Sequence, residues 1–270
     1  MSNQAPYDVI FFDMDGTLLP LEVKDFLLPY YELMQASCAR EGWDSHHFRE
    51  ALNTGIFSMY DHPTSETNET AFWRVFFDEL FGGDEPSQQQ KDHLRHFFEE
   101  FYEHEFNKAG AGVVPNPASA RALNTLVQKG YPLYLTTMPM FPYKAIEWRM
   151  KWANCDISLF DRVTTFDNST AVKPHLAYYE ENIALADVPP ERILMVGNNT
   201  EDDLDCMKLD MDAYLVTDYL INDNFFDVDE VKHGSMEEFA TWVESLPPCT
   251  STHALGWRDR ADELRIGSEE

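Results

Sequence analysis

Two aspartates, Asp13 and Asp15, follow directly on the apolar run Val9-Ile10-Phe11-Phe12 and precede Gly16-Thr17. Carboxylates leaving a buried strand need partners, because an unpaired buried charge is costly. A pair there could do two-part chemistry, one oxygen attacking as a nucleophile while the other carboxyl moves a proton. Gly16 lets the backbone turn away close to a ligand. An Asp-Gly hairpin turn is the plainer reading, but Leu18-Leu19-Pro20 supplies no convincing second strand. Three further segments carry polar groups at comparable places. Thr136 and Thr137 end the apolar stretch Leu133-Tyr134-Leu135, and alone they read as ordinary strand filler. Lys173 enters from a loop at an angle set by Pro174, although a lone Lys-Pro is usually solvated. Gly197-Asn198-Asn199-Thr200-Glu201-Asp202-Asp203 follows Val196 and offers clustered oxygens suited to a hard cation. An acidic helix start is the competing reading of that segment.

The elements around these residues alternate. Val9 to Phe12 is continuous in apolar residues, as a parallel strand buried on both faces should be. After Val113-Val114-Pro115, strands are expected at 132–137, 162–165, 193–196 and 213–217. Helices are expected between them at 118–129, 143–153, 175–186 and 203–209. A last helix opens with the capping box Ser235 to Glu238 and carries Met236, Phe239, Ala240 and Val243 on one face. Such alternation implies right-handed crossovers and a doubly wound parallel sheet, whose ligands bind at the C-terminal ends of the strands. All four polar segments sit at such ends. Between residues 21 and 110 no strand pattern appears; helical patterns run over 26–34, 45–53, 69–81 and 88–107. The expected organisation is therefore an α/β core from 1–20 and 111–247, a helical insert over 21–110 and a C-terminal tail over 248–270.

Composition narrows the function. A chain of 270 residues with 44% hydrophobic residues can bury a sizeable core. Its net charge of −28 repels nucleic acid and anionic membranes, so neither is an expected partner. An anionic substrate in that field would need a local cation. Cys38, Cys155, Cys206 and Cys249 lack the spacing of a zinc or disulfide framework. The opening MSNQAPYDVIFF has neither the basic region nor the long apolar stretch of a signal peptide, which gives a cytoplasmic expectation.

In order and spacing the four segments resemble those of the haloacid-dehalogenase-like hydrolase superfamily, over roughly residues 7 to 246. KP, LMVGN and FPYKAIEWRMKWA look like a subgroup of bacterial phosphatase-like members, and the insert resembles that superfamily's type-one helical cap. The resemblance implies a Mg²⁺-dependent phosphatase acting on a small phosphorylated metabolite. Asp13 would be the nucleophile that becomes an aspartyl-phosphate, and Asp15 the acid and then the base. Thr136, Thr137 and Lys173 would hold the phosphoryl group. Mg²⁺ would be held by Asp13, the Asp15 carbonyl, Asn198 and Asp203, with Asp202 as the alternative second acid. Two amides after Gly197 depart from the superfamily pattern, in which one of these positions is acidic. Asp15 favours phosphoryl transfer over dehalogenation, while a phosphomutase shares all four segments. A weakly catalytic phosphometabolite-binding protein is the reading from a different class. The cap's Arg49, His62 and Arg74 are its candidate polar contacts with substrate, without a recognisable specificity signature.

Overall fold

The computed structural model describes residues 5–251. The C-terminal tail expected over 248–270 falls largely outside the described residues. Six parallel strands form one sheet in the order β3-β2-β1-β4-β5-β6: β1 Val9–Phe12, β2 Leu133–Leu135, β3 Arg162–Val163, β4 Ile193–Gly197, β5 Asp212–Val216 and β6 Lys232–Gly234. This is the α/β, doubly wound arrangement the alternation implied. β1 lies in the interior of the sheet, and its four residues are all buried. Ile10 and Phe12 join the larger hydrophobic cluster on one face of the sheet, while Val9 and Phe11 join the cluster on the other. That division explains why the strand reads as unbroken apolar sequence.

Helices cover both faces: α5 Pro117–Gln128, α6 Tyr143–Trp152, α7 Leu176–Ala186 and α8 Met236–Ser245. The capping box opening α8 is formed, with Ser235 and Glu238 each bonded to the other's backbone. Two differences from the sequence reading are local. The stretch after Asp203 is a 3-10 turn over Leu204–Leu209 that ends in left-handed Asp210, so it never becomes an α-helix. β6 has only three residues, two of them exposed, and carries no apolar run by which to recognise it.

Register places the polar segments. Phe12 pairs with Leu135 on one side and with Val196 on the other. The three strands therefore end level, which sets Asp13 beside both Thr136 and Gly197. The Asp13 amide donates to the Val196 carbonyl at 2.8 Å, and the Thr136 amide donates to the Phe12 carbonyl at 2.7 Å.

The chain between β1 and α5 is helical: α1 Val23–Arg40, α2 Ser45–Ser58, α3 Asn68–Leu80, α4 Gln88–His104 and a 3-10 turn over Phe106–Gly110. Asp44, Thr67 and Ser87 cap α2, α3 and α4 through their side chains. Helix α1 is longer than its apolar period suggested and runs through Pro29. Phe48, Phe72, Phe76 and Phe98 pack the helices together in edge-to-face and stacked pairs. This insert is not a separately cored lobe, since its buried rings belong to the same cluster as Phe12, Leu135 and Val196. No helix among the described residues is long and apolar enough to cross a membrane.

Polar ties reinforce the seam at Asn68, a fully buried residue at the start of α3. Its Nδ2 donates to the carbonyls of Pro139 at 2.9 Å and Ala171 at 3.2 Å, and its Oδ1 lies 2.7 Å from His62 Nε2. The amides of Asn68 and Glu69 donate to the carbonyls of Ser169 and Phe166. Amides that begin a helix have no partner within it, and here two of them are satisfied by loops of the α/β core. Asn68→Ala should cost about 2–4 kcal/mol, because it strands two buried carbonyls. Thermal unfolding would check this. A fall in Tm of less than about 2 °C would show that the tie contributes little.

Candidate active site

The ends of β1 and β4 are joined by one cation. Lys173 Nζ lies 2.8 Å from Asp13 Oδ1 and 2.7 Å from Asp203 Oδ1, and its side chain is 1% exposed. Asp203 Oδ2 accepts from the amides of Asn198 and Asn199, each at 2.9 Å, so the loop after Gly197 winds around this carboxylate. A Cβ at Gly197 would lie 2.2 Å from the Asp203 carboxylate, which restricts that position to glycine. Gly16 is held as tightly: its φ is +80°, and a Cβ there would come within 2.3 Å of Asn198 Nδ2. The first and fourth segments thus interlock through two glycines.

Asp15 leaves β1 on the other side. Its Oδ2 is 2.6 Å from Arg149 Nη1 of α6, while its Oδ1 is buried without a partner. Thr17 Oγ1 stands 3.3 Å from Asp13 Oδ2 and 3.1 Å from Asn198 Oδ1. Asn198 Nδ2 donates to the Tyr219 carbonyl, which fixes the amide with its oxygen toward Thr17. The Asn199 side chain turns instead into its own loop, where its oxygen accepts the amides of Glu201 and Asp202.

Burial governs the electrostatics. It pulls the Lys173 ammonium down, but the fields of Asp13 and Asp203 outweigh it, and the group titrates well above an ordinary lysine. Burial pushes Asp203 up to about 7 despite Lys173. Asp15 is raised for the same reason, against the pull of Arg149, and Asp202 is raised by burial against the pull of Lys173.

These residues form the floor of a cavity of about 650 Å³. Asp13, Asp15, Thr137, Lys173, Asn198, Asn199, Asp202 and Asp203 all contribute to its wall. Thr136 does not. Its hydroxyl turns back to donate to the Phe12 carbonyl at 3.3 Å, whereas Thr137 lines the wall and its Oγ1 is buried without a partner. Arg49, His62 and Arg74 are likewise absent from the wall. Arg49 lies over the Tyr31 ring, His62 bonds Asn68, and Arg74 pairs with Glu66. Arg149 was not singled out because an arginine in a helix reads as a surface residue. Its spacing carried the signal, three residues after buried Ile146 and four before buried Ala153.

No three carboxylate, histidine or cysteine side chains converge as a ready metal site among the described residues, so a divalent cation would have to draw on amide and carbonyl oxygens beside Asp13. Asp13 Oδ2 and Asn198 Oδ1 converge on a single hydroxyl, Thr17, which has one proton for two acceptors. Four carboxylates (Asp13, Asp15, Asp202 and Asp203) face two cations, Lys173 and Arg149. Oxygen donors with excess negative charge are the ligand set of Mg²⁺.

A family model for haloacid dehalogenase-like hydrolases matches residues 7–208, and the chain belongs to that family. No curated protein matches it in sequence. Among solved structures, a HAD phosphatase from Thermococcus onnurineus is 19% identical with a TM-score of 0.52, covering 89% of this chain and 99% of its own. A 2-haloacid dehalogenase from Pseudomonas syringae pv. Tomato DC3000 is 16% identical with a TM-score of 0.60, covering 88% and 98%. A mutant CbbY from Rhodobacter sphaeroides, in complex with xylulose-(1,5)bisphosphate, is 17% identical with a TM-score of 0.51, covering 86% and 96%. At these identities the likeness is one of fold. Family and fold together make the chain a hydrolase.

Lys173→Met should destabilise the fold by about 3–5 kcal/mol, because Asp13 and Asp203 would stay buried without their cation. Adding Asp203→Asn should recover part of that loss. Additive effects of the two substitutions in denaturant unfolding would show that the three groups do not act as a unit.

Proposed function

We propose that this hydrolase is a phosphatase that passes the phosphoryl group of a small phosphate monoester to Asp13 and then to water. One observation carries the reading. Asp13 stands at a strand end with Lys173 on one oxygen, and a second, raised carboxyl, Asp15, lines the same cavity and keeps one oxygen without a partner. A dehalogenase releases a halide, which needs no proton; an alkoxide leaving group does. Asp13 Oδ2 attacks phosphorus as the ester P–O bond breaks, and Asp15 delivers its proton to the departing oxygen. Lys173 offsets the charge of the two anions brought together, and Thr137 Oγ1 donates to a phosphoryl oxygen. In the second step Asp15 takes a proton from water, whose oxygen attacks phosphorus and frees Asp13 and inorganic phosphate.

Mg²⁺ would be held by Asp13, the Asp15 carbonyl, Asn198 Oδ1 and one acid of the loop. It would supply positive charge to the phosphoryl oxygens. For that acid Asp202 is favoured over Asp203, whose two oxygens are already engaged by Lys173 and two amides. The substrate class is a small phosphorylated metabolite, since the reacting groups lie at the floor of a cavity rather than on an open face.

Release of p-nitrophenol from p-nitrophenyl phosphate, with and without Mg²⁺, tests the reading, and chloride release from 2-chloropropionate is the contrasting arm. Turnover should require Mg²⁺ and disappear in Asp13→Asn; chloride release without phosphatase activity would make the protein a dehalogenase. Appearance of an isomeric phosphate in place of inorganic phosphate would make it a mutase. Thr137→Val should lower kcat about 100-fold or more, as loss of a donor to transition-state charge does, and Thr136→Val by far less. Equal losses in the two variants would return the phosphate-binding role to both threonines.

A further inference from the structure

Arg149 is a buried charge with much of its hydrogen-bonding capacity unused. Its side chain is 1% exposed, and Nη1 is committed to Asp15 at 2.6 Å. Nε and Nη2 are buried with no partner. Those two nitrogens make one edge of the guanidinium, a pair of parallel N–H groups matched to two oxygens of a single anion. The faces of the group are spoken for by rings, Phe26 of α1 at 5.3 Å and Phe141 of the core at 4.7 Å. Buried donors are rarely left without an acceptor, least of all on a charged group.

The other cations on the cavity wall have their acceptors. Lys173 is held by Asp13 and Asp203. Arg95 pairs with Glu69 and lies over the Trp73 ring, and Lys144 bonds both Glu103 and Glu147. Among the described cations of the wall, Arg149 is the one with buried N–H groups left without a partner. The rest of the nearby wall is Phe26, Met140 and Phe141, with Tyr30 and Tyr102, whose hydroxyls lie 3.3 Å from each other.

We propose that the free edge of Arg149 binds a carboxylate on the leaving group, so that the substrate is the phosphate monoester of a small hydroxy acid. The proposal rests on the phosphatase reading above and names its substrate class. One rigid planar group holds Asp15, which would protonate the ester oxygen, and also presents the free edge. The carboxylate therefore belongs close to that oxygen, on the carbon that bears it or on the next. While Asp15 carries the proton it is to deliver, a single carboxylate balances the single guanidinium charge. Phe26 comes from the helical insert, so the subsite is completed at the seam between insert and core.

The test compares two esters with the same skeleton, 2-phospholactate and isopropyl phosphate, in which a methyl group replaces the carboxylate. The parent protein with Mg²⁺ should favour phospholactate in kcat/KM by about 100-fold or more. In Arg149→Lys, which keeps the charge but loses the fork, the preference should fall below about 5-fold. Any effect relayed through Asp15 changes both esters alike and cancels in this ratio. A second measurement needs no variant: lactate should inhibit isopropyl phosphate hydrolysis by the parent protein competitively, and isopropanol at the same concentration should not. Hydrolysis of both esters at similar efficiency, a preference that survives Arg149→Lys, or no inhibition by lactate would each overturn the Arg149 assignment while leaving the phosphatase reading intact. Failure to hydrolyse either ester or p-nitrophenyl phosphate would overturn both.

Discussion

The site depends on an ammonium buried between two carboxylates. Asp13 and Asp203 come from the ends of neighbouring strands, and without Lys173 their charges would repel in a place where water cannot screen them. The same carboxylate of Asp203 that accepts from Lys173 also gathers the amides of Asn198 and Asn199. One ion triad therefore neutralises the reacting aspartate and sets the shape of the loop that presents Asn198. Chemistry and local architecture share one fastening, and the two glycines leave no room for either to shift.

Much of this was legible in the chain. The unbroken apolar run before Asp13, the alternation after Val113 and the glycine-led cluster after Val196 gave the parallel sheet and the level of the site. They could do so because a strand buried on both faces is apolar without a break, and its shortness and the turn residues that end it separate it from a buried helix. What escaped the reading depends on which way a side chain turns. Thr136 and Thr137 are adjacent and chemically identical, but the Thr136 hydroxyl turns back to a strand carbonyl while Thr137 lines the cavity. Arg149 was hidden by the general habit of arginine to stay at the surface, although its helical spacing put it on the buried face. β6 offered too few apolar residues to leave a mark.

Between insert and core lies a continuous layer of rings. Phe26 and Phe106 of the insert meet Phe141 and Trp152 of the core, and the Trp148 indole donates to the Tyr102 carbonyl. Gly112, at φ +94°, gives the nearby crossing backbone freedom, and Gly110 lets the chain pass against the Trp152 ring, but separating the two parts would bring this layer to water at about 25 cal/mol for each Å² of apolar surface. Aromatic packing of this kind favours one relative placement of the two halves. That placement is what brings Phe26 over Arg149 and closes the wall above the reacting carboxyls.

The Asn68 tie bears on the order in which the molecule assembles. The first turn of α3 finds its acceptors on Pro139, Phe166, Ser169 and Ala171, the last of them 103 residues further along the chain. During synthesis the insert emerges from the ribosome well before those carbonyls exist. Its helices can form early from local contacts, but the start of α3 must remain hydrated until β2, β3 and the loop before Lys173 have been made. Docking of the insert is therefore a late, long-range event, whose entropic cost rises slowly with the length of chain it must enclose. The residue that completes it lies only two positions before the lysine on which the active site is built.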